Sequence, residues 1–551
     1  MCWGNLMPIT KKRSVRIPAT IFLCFACLYA LLRSSNILAV DGAHRCLEVF
    51  RHQGLLFHAN NHMLYPANVL LWTRFASALG LNTNGPLQFF STVELMNCFA
   101  GAACLVVLYL LMSSAVSSWQ LVLCGTVAYG FSKAFLEHAT NAAEPLVGVF
   151  WSFLATLIVA LLFKVKSNWP VVVSGLVFAL AMATYQSTIL LAPAAIVLIW
   201  HRHLEEHEHE SVGSKRLRGI GMFAFGGLAG GMLIYGWAYS VQGVRSPAGM
   251  VKHFFAPLRR EGVYLGLGFG KVLNIPIGLI RNIFPVALNF RGIRSLLAGS
   301  RLSLACFLLV FIFFCEFIFF CLMPIWKRRT SLSPSAQVGV LAAAIGFIFT
   351  SVPLLIWEPQ YNKLWLQPLA CLTCLLVVAL DVIGQNKKGL SRLPQIAAAL
   401  VLMGVLSNFI WAVQTRTHGT AGMEEAQKLA GELGKKDFVV GGWDNVSILY
   451  GDIWGGDEHY MDFTMEAVLY RRDSTAHLRE AILRTRHEGG RVYFLGVVDV
   501  PKQDWNSYIG SKCGVPFSDM DFYRAHSRVV EKLGDGSVQI SLLQLDSANL
   551  N

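Results

Sequence analysis

The chain is 551 residues long, 54% hydrophobic and only 14% charged, against roughly 25% charged residues in a soluble domain. That deficit excludes an ordinary soluble globular protein and leaves most side chains facing lipid or other apolar helices. The formal net charge of +13 does not mark a nucleic-acid binder, because many of the basic residues sit in short clusters between apolar runs, where they orient helices in a bilayer.

A crossing takes about 20 apolar residues for roughly 30 Å of hydrocarbon. By that measure spans are predicted near 17–39, 91–113, 117–135, 145–164, 168–183, 185–200, 217–240, 302–325, 337–357, 364–383 and 394–414. The pair inside 168–200 also reads as one long helix, and 262–290, broken by Gly and Pro, as a re-entrant or interfacial segment. The first run is long for a signal peptide and reads as a signal anchor. Short basic clusters at Lys11–Arg16, Lys164–Lys166, Arg202–Arg218, Lys327–Arg329 and Lys387–Arg392 all fall on one side of eleven spans. The positive-inside rule makes that side the cytoplasm. The basic loop at 242–301 falls outside, but long loops follow the rule poorly. The His/Glu-rich segment 201–210 reads as a solvated loop rather than a metal site. Most of the thirteen cysteines lie inside apolar runs and act there as small hydrophobes.

From about residue 420 the pattern changes. Helices are predicted at Met423–Lys436 and Ser474–His487, and strands at Phe438–Val440, Arg491–Val498 and Val538–Leu543. Helices alternating with short apolar strands predict a small α/β domain. The expected division is a transmembrane domain over 1–414 and an extracytoplasmic α/β domain over 415–551. Cys46 and Cys513, both external in this topology, are candidates for a disulfide in an oxidising compartment.

Four loops on the external side carry unusual polar residues: Asp41, His44, Arg45 and Glu48; His58, Asn60, Asn61, His62 and Tyr65; Glu137, His138, Thr140, Asn141 and Glu144; and Trp357, Glu358, Gln360, Tyr361, Asn362 and Lys363. Charges and imidazoles at a membrane boundary are costly unless they meet partners or line a wet cavity. Four such groups on one face fit one shared polar cavity with acid–base and phosphate chemistry. A competing sign is Glu316, inside the eighth run. An intramembrane carboxylate suits a transporter or lipid flippase, although no inverted repeat accompanies it.

An acidic residue directly after the first span, a long first external loop, a second acidic loop after the third span and a C-terminal external domain together resemble the membrane glycosyltransferases of the GT-C superfamily. That group includes the protein O-mannosyltransferases, the aminoarabinose transferases and the oligosaccharyltransferases. The resemblance implies transfer of a sugar from a polyprenyl- or dolichyl-phosphate carrier to an extracytoplasmic glycan, lipid or protein. It also implies a multi-pass protein of a bacterial inner membrane, N-terminus in the cytoplasm. Asp41 matches the first-loop acid of the family and would be general base or would orient the acceptor or a metal. Glu137 or Glu144 matches the second acidic position. His58, Asn61, His62 and Tyr65 match the loop before the next helices. Tyr361 and Lys363, with Lys252, Arg259 and Arg260 in the long loop, would lie near the carrier phosphate. A divalent cation is a possible cofactor in this family. The sequence departs from the family where Gly42 follows Asp41 in place of Glu, and where the oligosaccharyltransferase Trp-Trp-Asp-Tyr-Gly motif is absent. Asn445-Val446-Ser447 is a glycosylation sequon only in a eukaryotic secretory pathway.

Overall fold

The computed structural model describes residues 13–33, 40–51, 62–161, 169–201, 212–244, 246–254, 268–283, parts of 304–323, 332–357, 359, 361–386, 393–417, 421–442, 445–533 and 538–544. His58, Asn60, Asn61, Arg259, Arg260, Glu358 and Gln360 lie outside the described residues, as do segment 202–211 and the side chains of Asp41 and His44.

The apolar runs fold as helices, and proline sets many of their starts. α1 spans Arg13–Leu31, α2 Val40–Arg51, α3 Tyr65–Ala78, α4 Pro86–Ser113, α5 Trp119–Gly130, α6 Lys133–Ala139, α7 Pro145–Leu161, α8 Trp169–Thr184, α9 Ala192–His201, α10 Val212–Val241 and α11 Pro247–Phe254. α12 follows at Phe269–Ile283, α13 at Pro334–Thr350, α14 at Val352–Ile356, α15 at Leu366–Asn386 and α16 at Leu393–Thr417. Pro66, Pro86, Pro145, Pro334 and Pro353 sit in the first turns of their helices, where the missing N–H costs nothing and the fixed φ suits the helix.

Among the described residues five helices are long and apolar enough to cross a membrane: Pro86–Ser113, Gly213–Val241, Pro334–Ile356, Asn362–Gly384 and Ala397–Gln414. Val15–Leu31, Pro145–Leu161, Trp169–Thr184 and Gln186–His201 are apolar but shorter. The run at 117–135 is not one helix. It breaks after Gly130, and Ser132 restarts the chain as α6. The run at 168–200 divides at Tyr185, which is extended (φ −150°, ψ 105°), and a 3₁₀ turn leads into α9. Part of the ambiguous segment 262–290 is α12. It lies so close to the segment after α14 that a Cβ on Gly278 would sit 2.2 Å from the Pro359 carbonyl oxygen.

Close packing fixes the bundle. α8 and α10 run parallel, and a Cβ added to Gly175 or Gly226 would lie 2.2 Å from a backbone oxygen of the other helix. α5 is pinned to α15 at both ends. Tyr129 Oη donates to the Leu366 carbonyl (2.7 Å) at one end. At the other, buried Asp381 accepts from the backbone N–H groups of Ser117 (3.1 Å) and Ser118 (3.2 Å). A carboxylate on α15 thus fastens the two residues ahead of α5, and Ser118 caps the helix itself, its Oγ accepting the Leu121 N–H. The end of the bundle away from Asp381 carries the polar clusters.

The C-terminal residues form α17 (Ala421–Glu432), α18 (Asn445–Tyr450), α19 (Phe463–Tyr470) and α20 (Ser474–His487) around a five-stranded sheet. Its strands are β1 Phe438–Gly441, β2 Tyr460–Asp462, β3 Val492–Leu495, β4 Ser527–Leu533 and β5 Val538–Leu543, in the order β2-β1-β3-β5-β4. β1 pairs parallel with β2 and β3, while β5 pairs antiparallel with β3 and β4. The strands β2 and β4 were not expected from the sequence. β2 is three residues long, and β4 is an edge strand whose charges mask its alternation.

One sheet face (Phe438, Val440, Val492, Phe494) packs on α19 and α20. The other (Val439, Tyr493, Leu495, Ile540) shares a core with α17 and α18 and with Cys46 and Val49 of α2, Tyr65 and Val69 of α3 and Phe89 and Val93 of α4. Cys46 therefore lies on one side of the sheet and Cys513 on the other, and both are free thiols. This overturns the disulfide expectation, because a paired sheet stands between the two sulfurs. Ser447 of the sequon is fully buried, and its hydroxyl accepts the Gly442 N–H (3.0 Å).

Candidate functional site

Three segments far apart in sequence meet at the polar end of the bundle. The first is the approach to α3. The Leu64 N–H donates to the Ala183 carbonyl (2.9 Å) and Tyr65 Oη to the Ala142 carbonyl (3.2 Å). These bonds seat the buried His62 with Nδ1 3.3 Å from the Thr184 carbonyl and its ring stacked on Tyr185 (centroids 5.4 Å apart, planes at 12°). A carbonyl only accepts, so Nδ1 carries the hydrogen and Nε2 faces the site.

The second segment joins α6 to α7. Thr140 Oγ1 donates to the Leu136 carbonyl and Asn141 Nδ2 to the Glu137 carbonyl. The fully buried Asn97 of α4 donates from Nδ2 to both the Asn141 (2.6 Å) and Ala143 (2.7 Å) carbonyls. The loop is thereby locked, with Glu144 directly ahead of Pro145 at the start of α7. A carboxylate there is favoured by the helix dipole. His138 is buried, and its Nδ1 donates to the Ala134 carbonyl (2.8 Å). Burial pushes the His138 pKa down, outweighing the Glu137 charge that acts to raise it, so the ring is neutral at pH 7.

The third segment is a 3₁₀ turn, Asn362–Trp365, anchored where Trp365 Nε1 donates to the Pro359 carbonyl (2.7 Å). Asn362 Nδ2 donates to Glu137 Oε2. Lys363 Nζ stands 3.7 Å from Glu144 Oε1, and His62 Nε2 stands 3.6 Å from the same oxygen. The Glu144 side chain is 2% exposed and that of Lys363 25%. An isolated carboxylate this deep is strongly disfavoured; the Lys363 ammonium within 4 Å offsets the cost. Both contacts are too long for hydrogen bonds, so the oxygen is held by charge and faces the gap between its partners.

The remaining sequence candidates divide. Tyr361 is exposed beside this turn. Lys252 is exposed on α11, whose Met250 and Phe254 pack with Met63 and Tyr239, one layer from His62. Asp41 lies in the first turn of α2. Glu316, which favours a transporter, is exposed on its helical segment rather than enclosed between helices. For a divalent cation, no group of three or more His, Cys, Asp or Glu side chains gathers among the described residues. The close partners of Glu144 are one ammonium, which cannot ligate a metal, and one imidazole. Sequence reasoning overlooked Asn97 and Glu94, both buried in α4. Their signal was two polar side chains one turn apart within an apolar run.

No known family profile and no curated protein matches the sequence. Solved structures do match its fold. ArnT from Cupriavidus metallidurans in the apo state aligns with a TM-score of 0.57 at 11% identity over 95% of this chain and 97% of that one. The same enzyme bound to undecaprenyl phosphate gives 0.55 at 11% identity over 96% and 98%. The oligosaccharyltransferase of Archaeoglobus fulgidus in the apo form gives 0.52 at 11% identity over 93% of this chain and 73% of that one. Its form tethered to an acceptor peptide gives 0.51 at 9% identity. Apolar helices arranged on this plan make the chain an integral membrane protein, and its fold is the one shared by ArnT and the oligosaccharyltransferase.

Proposed function

We propose that the protein is a membrane glycosyltransferase that moves a sugar from a polyprenyl- or dolichyl-phosphate carrier to an extracytoplasmic acceptor. The observation that carries this reading is the convergence of His62, Glu144 and Lys363 on one buried point at the polar end of the bundle. Support also comes from the fold, since one neighbour holds undecaprenyl phosphate and another an acceptor peptide.

In this reading an acceptor oxygen attacks the anomeric carbon. The bond from that carbon to the phosphate oxygen breaks, and polyprenyl phosphate leaves. A carboxylate takes the acceptor proton. Asp41 and Glu144 are the candidate bases, and Glu137, held by Asn362, borders the same space. The Lys363 ammonium stabilises charge growing on the departing phosphate. Lys252, Arg259, Arg260 and Tyr361 would form the outer phosphate contacts, and His58, Asn61 and Tyr65 the acceptor loop. The division into a 1–414 catalytic unit and a 415–551 extracytoplasmic unit, with the N-terminus in the cytoplasm of a bacterial inner membrane, belongs to the same reading.

The test uses full-length protein reconstituted with a radiolabelled polyprenyl-phosphate sugar and a cell-envelope extract as acceptor. Release of polyprenyl phosphate with label passing to the acceptor supports transfer. Movement of intact labelled lipid between leaflets, with no release, would point to a flippase instead.

A further inference from the structure

The α6–α7 loop brings a third basic group to the site beside its two carboxylates. His138 stands in the last turn of α6 and is 7% exposed. Its Nδ1 donates to the Ala134 carbonyl (2.8 Å). A carbonyl only accepts, so the hydrogen is on Nδ1 and Nε2 keeps its lone pair. The ring is fixed by the pattern that fixes its neighbours, since Thr140 Oγ1 and Asn141 Nδ2 also bond to carbonyls four residues back. Nε2 makes no bond among the described residues, yet it is not one of the polar atoms sealed inside the protein without a partner. It is an unused acceptor that a small polar group can reach.

The two carboxylates of the loop are already engaged. Glu137 accepts from Asn362 Nδ2, and Glu144 lies 3.7 Å from the Lys363 ammonium. A cation that close favours the ionised carboxylate and weakens it as a base. An imidazole ordinarily binds a proton near about pH 6.5, against about 4.3 for a Glu carboxylate, and a base works best with its pKa near the operating pH. The surroundings of His138 suit that duty. Burial, the largest influence, keeps the resting ring neutral. Glu137 on the same helix and Glu144 ahead of α7 favour its protonated form, and Lys363 on the 3₁₀ turn opposes it. These are the charges that act on the ring from α6 and from the elements packed against it. A proton arriving on Nε2 therefore makes an imidazolium in the field of two carboxylates.

We infer that His138 Nε2, in place of a carboxylate, takes the proton of an acceptor hydroxyl; the inference rests on the glycosyl-transfer reading. The hydroxyl oxygen bonds to the anomeric carbon as the bond from that carbon to the phosphate oxygen breaks. The bonding pair leaves with polyprenyl phosphate, and the proton stays on His138 until it passes to solvent. Asp41 then keeps the other role that the resemblance implies, orienting the acceptor.

The experiment follows transfer from a radiolabelled polyprenyl-phosphate sugar by full-length protein in liposomes, across pH. Wild-type turnover should fall as pH drops through the His138 pKa, with a midpoint below the ordinary imidazole value of 6.5. His138→Asn keeps an amide that can bond to the Ala134 carbonyl but has no basic nitrogen. It should lose roughly 100-fold in turnover with little change in KM, and its residual activity should lack the wild-type acid limb. Added imidazole should raise the turnover of His138→Gly about tenfold, by supplying the missing base. A purely structural role would lower the melting temperature and leave the acid limb in place. Near wild-type turnover in His138→Asn, an acid limb unchanged in that variant, or no rescue by imidazole would each overturn the inference while the transfer reading stands. No release of polyprenyl phosphate by the wild-type protein would overturn both.

Discussion

Asn362 and Glu137 are 225 positions apart in the chain, yet the amide of the first donates directly to the carboxylate of the second. The next residue along, Lys363, brings its ammonium within 3.7 Å of Glu144. Two consecutive residues of one 3₁₀ turn thus engage the two acids that bracket the α6–α7 loop. The turn and the loop form one electrostatic unit, and changes in either should be felt in the other.

The Glu144–Lys363 pair yields a non-additive signature. Lys363→Met removes a cation from a buried carboxylate and should lower the melting temperature more than Glu144→Gln does. The double variant should recover part of the loss, since no charge is left uncompensated. In the transfer assay each single variant should lose roughly 100-fold in turnover. Additive melting temperatures in a thermal-shift series would show that the two groups do not share one site.

Asp41→Asn keeps size and most hydrogen bonding but removes the basic oxygen. Normal insertion with a loss of turnover of roughly 100-fold or more is expected. Near wild-type transfer by the purified variant would remove Asp41 as base and leave Glu144 and Glu137.

At the opposite end of the bundle, Asp381→Ala leaves the N–H groups of Ser117 and Ser118, just ahead of α5, without their carboxylate. Unpaired buried donors cost about 1–3 kcal/mol, read as a lower melting temperature. The folded fraction should keep its KM and turnover, because the change lies a full helix length from Glu144. A selective drop in turnover without destabilisation would contradict a purely structural role.

The C-terminal sheet carries a pH-dependent tie. Burial acts to raise the Asp437 carboxyl pKa, but the Arg491 guanidinium and the N–H groups of Arg491 and Gly434 outweigh it and hold the pKa below the usual carboxylate range. A depressed folded-state pKa stabilises the fold above the unfolded value of about 3.9, and the benefit is lost as pH falls through the folded pKa. Arg491→Gln should therefore melt lower than wild type at pH 7, with the difference closing below about pH 4. A constant difference from pH 7 to pH 3 in a calorimetric series would rule out this linkage.

Much of the architecture was legible because it depends on local pattern. Among the described residues five apolar runs became helices of span length, and Ser474–His487 and Val538–Leu543 fall at their predicted bounds. Periodicity and turn residues act over a few positions, and a single sequence displays them. The break at Phe131–Ser132 was not legible, because no proline marks it and the chain restarts at once as α6.

The sequence by itself determined that the protein is helical and lipid-facing, and that unusual polar residues gather in a few loops. Only the tertiary structure decided which of those residues meet. His62, Glu144 and Lys363 converge because α7, α8 and α15 pack with their ends at one level, a result of side-chain fit between surfaces far apart in the chain. The same packing made Asn97 a clamp and set a sheet between Cys46 and Cys513. Convergence of this kind is a three-dimensional property of packed helices, and no short-range pattern in a single sequence encodes it.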